Sequence, residues 1–95
     1  MPAFVGICRV TLALPGSQSL KDKRRVLRSL IERLRQRYHL AVAEVGAQDS
    51  WRRADIAFAC VSGEHRQCEA LLADCLRWLE SRTDVELIDV DTEIV

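Results

Sequence analysis

No apolar run in the chain approaches the ~20 residues that a membrane-spanning helix requires, so a fold of transmembrane helices is not expected. There is no C-x-x-C pair, no P-loop and no G-x-G-x-x-G, which removes the usual signals of a zinc ribbon, a triphosphate cradle and a dinucleotide site. Low-complexity stretches are missing and 48% of the residues are apolar, so disorder is not expected either. The opening Met1-Pro2-Ala3-Phe4 lacks a basic n-region and a small-residue cleavage site, and cytoplasm is the expected location. A length of 95 residues is one domain, 1–95, because two independent cores could not be built from it.

A net charge is also missing, which by itself argues against a generic nucleic-acid binder. Its distribution says more. Residues 1–39 hold nine Lys/Arg against Asp22 and Glu32, an excess of seven positive charges. The rest holds five basic and twelve acidic residues, an equal negative excess. A molecule with one basic and one acidic surface is expected.

The four cysteines, Cys8, Cys60, Cys68 and Cys75, sit in apolar stretches with no His at ligand spacing. They read as buried reduced thiols, with a zinc site or disulfide as the lesser reading. No metal and no cofactor is expected.

Alternation of Phe4, Cys8, Val10, Leu12 and Leu14 with Arg9 and Thr11 predicts a strand over residues 3–14, ended by Pro15-Gly16. Ser19 followed by Asp22 is an N-cap pattern. A helix follows from Leu20 to Tyr38, with Leu20, Leu27, Leu30, Ile31, Leu34 and Tyr38 as its apolar stripe. Strands are predicted over 39–46 and 54–62, separated by the loop of residues 47–53. A second helix opens at Ser62-Gly63 and buries Cys68, Leu71, Leu72, Cys75, Leu76 and Leu79. The last strand, 84–95, turns Ile88, Val90 and Ile94 inward between the acids Asp89, Asp91 and Glu93. The order βαββαβ predicts an α+β two-layer sandwich of the ferredoxin-like kind, with a four-stranded antiparallel sheet and both helices on one face.

The other face of that sheet should be polar, yet Val5, Ile7, Ala41, Ala43, Val45, Ala57, Ala59 and Val61 fall on it. A homo-oligomer, most simply a dimer, covering Val5, Ile7, Ala43, Ala57 and Ala59 is expected. The alternative is that such small side chains are tolerated singly in water.

The strongest local signal is Ser17-Gln18-Ser19-Leu20-Lys21-Asp22-Lys23-Arg24-Arg25. Cations crowd the first turns of a helix, where the macrodipole is positive and each placement costs about 0.3–1 kcal/mol when exposed. Lys21, Lys23, Arg24, Arg25, Arg28 and Arg35 form the candidate anion- or RNA-binding set. The competing reading is an ordinary charged face, partly paired through Arg28 and Glu32. RNA would not be read by stacking on the sheet, because the outer positions of the central strands are Val5, Ile7, Ala57 and Ala59. A second candidate is the loop Gln48-Asp49-Ser50-Trp51-Arg52-Arg53, whose Trp51 either stacks at an interface or plugs the sheet edge.

Catalysis finds little support. His39 begins a strand and His65 a helix, without an evident carboxylate or nucleophile partner in sequence. Acylphosphatases share the architecture but rely on an Asn beside an Arg, and the chain has no Asn.

The runs Ser19–Leu27, Val42–Gly46 and Gln48–Ala54, in this order, resemble the YlxP-like family, a bacterial family of unknown function and about this length. The resemblance covers nearly the whole chain and implies a ferredoxin-like fold, with no catalytic residues to carry over. Genes of that family often lie near those for translation-initiation and ribosome-maturation factors, which implies a connection to RNA or the ribosome. At Tyr38-His39-Leu40 the chain departs from the family's Phe-Asn followed by a β-branched residue. The expected function is a non-catalytic accessory protein docking on RNA or a ribosomal particle, with an oligomeric assembly module as the alternative and no membrane partner.

Overall fold

Apolar alternation, a proline-glycine stop and a serine cap lay out the first half of the chain as the pattern predicts. The computed structural model describes residues 1–95 as β1 (Phe4–Ala13), α1 (Leu20–Tyr38), β2 (Ala41–Gly46), β3 (Arg53–Ser62), α2 (His65–Ser81) and β4 (Glu86–Ile94). The strands form one sheet in the order β2-β3-β1-β4, with every neighbouring pair antiparallel. Both helices cover one face of it, so the chain has the ferredoxin-like βαββαβ fold. No helix is long and apolar enough to cross a membrane.

Ser19 caps α1: its backbone is extended and its Oγ accepts from the Asp22 N–H at 3.0 Å, while Asp22 Oδ2 accepts from the Gln18 N–H at 3.0 Å. The helix ends because His39 adopts the left-handed region, φ 55°, and donates its N–H to Arg35 O. That conformation suits Asn better than most residues, and β2 consequently starts at Ala41 rather than at His39. Helix α2 likewise starts at His65, behind the Ser62-Gly63 turn, with Glu64 at its N-cap.

The core lies between the sheet and the helices. Leu27, Leu30 and Leu34 of α1 and Cys68, Leu72, Cys75 and Leu79 of α2 meet Cys8, Val10 and Leu12 of β1 and Ala54, Ile56 and Phe58 of β3. All four cysteines are buried and free. Burial pushes the Cys8 and Cys60 thiols above their ordinary range and Cys75 up to about 12, so they behave as small hydrophobes.

Gly6 sets the approach of α2 to the sheet. A Cβ there would lie 2.9 Å from Leu72 Cδ1, 3.1 Å from Cys60 Sγ and 3.3 Å from Cys68 Cβ. Gly6→Ala is therefore expected to lower the unfolding free energy by about 1–3 kcal/mol through overpacking. Urea denaturation checks this, and an unchanged midpoint would mean that α2 is free to move away.

Strand four departs from the expected register. A bulge opposite Thr11 and Leu12 lets Leu87 pair with Leu12 and Asp89 with Thr11, so Ile88 is the unpaired residue. Leu87, not Ile88, then packs on the core, and Ile88 is 57% exposed. Val90 and Ile94 keep the expected inner side, opposite Val10 and Gly6.

Candidate functional site

Helix α1 is capped by Ser19 and, apart from Asp22, its charged residues over the opening turns are cations, so its exposed flank is positive there. At 100° per residue, Lys21, Arg24, Arg25 and Arg28 project opposite the buried stripe of Leu27, Leu30 and Leu34. The four side chains line one open surface depression of about 260 Å³. None of them lies within ion-pairing distance of an acid; the chain's pairs are made by Arg9, Lys23, Arg53, His65, Arg77 and Arg82. The Arg28–Glu32 pair that the spacing allows is not formed. The cap takes the Asp22 N–H, and the N–H groups of Leu20 and Lys21 donate to no backbone carbonyl.

Two residues of the expected set stand elsewhere. Lys23 is not a solvent-facing cation: its side chain is 2% exposed, and its Nζ donates to Ala47 O at 2.6 Å and lies 3.1 Å from Glu44 Oε2. The reason is geometric, since position 23 falls one turn before Leu27 on the apolar stripe. The contact with Glu44 is an ion pair without hydrogen-bond alignment, and Oε2 is left with no hydrogen-bond donor. Arg35 is exposed but separate from the depression, because its Nη2 donates to Val42 O at 2.9 Å on the free edge of β2.

The 47–52 loop is fastened beside the start of α1. Lys23 holds Ala47 O, Arg52 Nε donates to Ser17 O at 3.2 Å, and Leu14 N donates to Arg52 O. Gln48 and Asp49 form the exposed turn. Trp51 does not plug the sheet edge; it stays 53% exposed at the same end of the molecule as the cations. Arg53, on β3, pairs with Asp55 at 3.6 Å.

The histidines differ from the sequence reading in one respect. His65 has a carboxylate partner, Glu69 Oε1 at 2.6 Å, and an edge contact with Phe4. The (i, i+4) spacing of this pair was the available signal. His39 serves as the α1 cap. Trp78 packs at the core margin as expected, edge-on to Tyr38 at 6.5 Å, with Arg82 over its ring and Arg37 over that of Tyr38.

The open face of the sheet carries Val5, Ile7, Ala41, Ala43, Ala57, Ala59 and Val61, as the alternation predicts. Ala13 and the 57% exposed Val45 lie on it as well, beside polar residues: Arg9 reaches Asp91 at 3.1 Å and Glu93 at 3.3 Å, and Thr11 Oγ1 donates to Asp55 Oδ1 at 2.9 Å.

A family model described as "Protein of unknown function (DUF503)" matches residues 5–92. The chain is similar to "Uncharacterized protein YlxP" of Bacillus subtilis (strain 168), at 29% identity over 90 residues that cover 95% of this chain and 98% of the relative. A solved Bacillus cereus structure described as an antibiotic biosynthesis monooxygenase aligns over 100% of this chain and 92% of its own, at a TM-score of 0.46 and 12% identity.

Proposed function

The chain belongs to the DUF503 family of YlxP-like proteins, whose description assigns no activity, and on that premise we propose that it is a non-catalytic accessory protein that docks on RNA, within a ribosomal particle, through the opening turns of α1. One observation carries this reading: Lys21, Arg24, Arg25 and Arg28 stand together, unpaired, along the opening turns of α1, with Lys21 in the first turn at the positive end of the helix dipole. Four such charges repel one another, and Lys21 the dipole, a cost that a phosphate backbone would reverse. The cations hold the backbone rather than the bases, since phosphate contacts carry little sequence information, and the sheet offers no aromatic platform.

The exposed indole of Trp51 supplies the remaining contact, stacking on an unpaired base beside the phosphates that the cations hold. Trp51→Ala is expected to weaken binding of a single-stranded RNA at least about fivefold, since a stacked base is worth about 1–3 kcal/mol. Fluorescence anisotropy of a labelled RNA measures this, and equal affinity would remove Trp51 from the interface.

The reading as a whole is tested by co-sedimentation with ribosomal particles, at low and near-physiological salt, beside Arg24→Glu/Arg28→Glu. Co-migration that fades with salt and is lost in the variant is expected. A protein that stays at the top of the gradient in both salts contradicts the reading.

A further inference from the structure

We propose that the open face of the sheet packs against the same face of a second copy, with a two-fold axis running along the strands between β1 and β3. The row Ile7, Ala59, Ala41 crosses three neighbouring strands in register, and the next row is Arg9, Ala57, Ala43. Val5 and Val61 pair in the row before. Ile7, Ala41, Ala43, Ala57 and Ala59 are part of one shallow depression of about 190 Å³ whose lining is entirely apolar. Alanine is a poor strand residue in water, but its small side chain lets a facing sheet approach to the ~10 Å of a sheet-on-sheet core.

Area permits a stable pair. Strands of ten, six, ten and nine residues at ~3.4 Å each, side by side at ~4.8 Å, give a face of about 570 Å² per copy, or about 1,140 Å² in all. A specific interface should clear about 1,000 Å².

Charge chooses the arrangement. The acids of this face are concentrated on β4, where Asp89, Asp91 and Glu93 stand opposite Thr11, Arg9 and Ile7. An axis across the strands would stack β4 on β4 and set acid against acid. An axis along the strands lays β4 over the partner's β2, whose open positions are Ala41 and Ala43 and whose free edge carries the Arg35 guanidinium. The same axis sets Ile7 over the partner's Ala59 and Ala59 over the partner's Ile7, large against small. It also brings Ala43 beneath the partner's Asp91.

This pairing is independent of the RNA reading, since Lys21, Arg24, Arg25 and Arg28 lie on the helix layer, away from the interface. The test is the mass of the purified chain at micromolar concentration by light scattering, in low and in molar salt, with circular dichroism to confirm folding. Twice 10.8 kDa in both salts is expected, unchanged by Arg24→Glu/Arg28→Glu. Ala59→Glu is expected to return the mass to 10.8 kDa. Should that variant fail to fold, Ala43→Glu, at an exposed position, replaces it. Ala43→Lys, facing the partner's Asp91, is expected to keep the dimer that Ala43→Glu dissociates. A monomeric wild type, a dimer indifferent to Ala59→Glu and Ala43→Glu, or equal loss in both Ala43 variants would overturn the proposal.

Discussion

Lys23→Met is expected to destabilise the fold by about 3 kcal/mol, the low end of the range for breaking a buried ion pair. The change leaves the Glu44 carboxylate on the inner side of β2 without its counter-charge and removes the donor to Ala47 O. The effect stays at the low end because the Glu44 side chain is 27% exposed and can recruit water. Lys23→Met/Glu44→Leu should recover much of the loss, since an apolar pair of similar volume replaces the ions without stranding either. Urea denaturation of the wild type, both single variants and the double variant gives the coupling directly. Additive losses would mean that the two side chains do not act as a pair.

The largest functional effect is expected from reversing Arg24 and Arg28 together. Each phosphate contact on a single strand contributes ~0.7 of a counterion, a factor of about five in affinity near tenth-molar salt. Losing two contacts costs about 25-fold, and the two introduced carboxylates repel the strand further. A loss on the order of 30-fold or more is expected in an anisotropy titration. The control is Arg33→Glu/Arg66→Glu, which changes the net charge equally but lies outside the depression. Equal losses in the two variants would reduce the interaction to net charge and remove the site.

Much of the fold was legible because its signals were local. Pro15-Gly16, the Ser19 cap and the Leu27, Leu30, Leu34 spacing bound α1 at Leu20 and Tyr38, where the structure has it. Strict alternation in β1 and β3 placed Phe58 inward and Ala57 and Ala59 outward. The register of β4 was not legible, because a bulge depends on the neighbouring strand and leaves no mark in the strand's own alternation. Lys23 misled because a cation among cations reads as surface. Its spacing to Leu27 and the inward position of Glu44 on β2 together carried the signal, one charge of each sign on facing core surfaces. The clustering of Lys21, Arg24, Arg25 and Arg28 followed from helical spacing alone, whereas the capture of Arg35 by Val42 O required the path of β2. The position of Trp51 depended on the Arg52 and Lys23 contacts that fasten its loop, both made to distant residues.

The central claim is that phosphates occupy the four-cation depression, and the most direct measurement is the salt dependence of RNA affinity. A single-stranded ribosomal RNA fragment titrated over a series of salt concentrations should give a log–log slope of about −3, the value for four phosphate contacts. In Arg24→Glu/Arg28→Glu the slope should fall to about half of that. A flat wild-type dependence, or one that the variant reproduces unchanged, would contradict docking through α1.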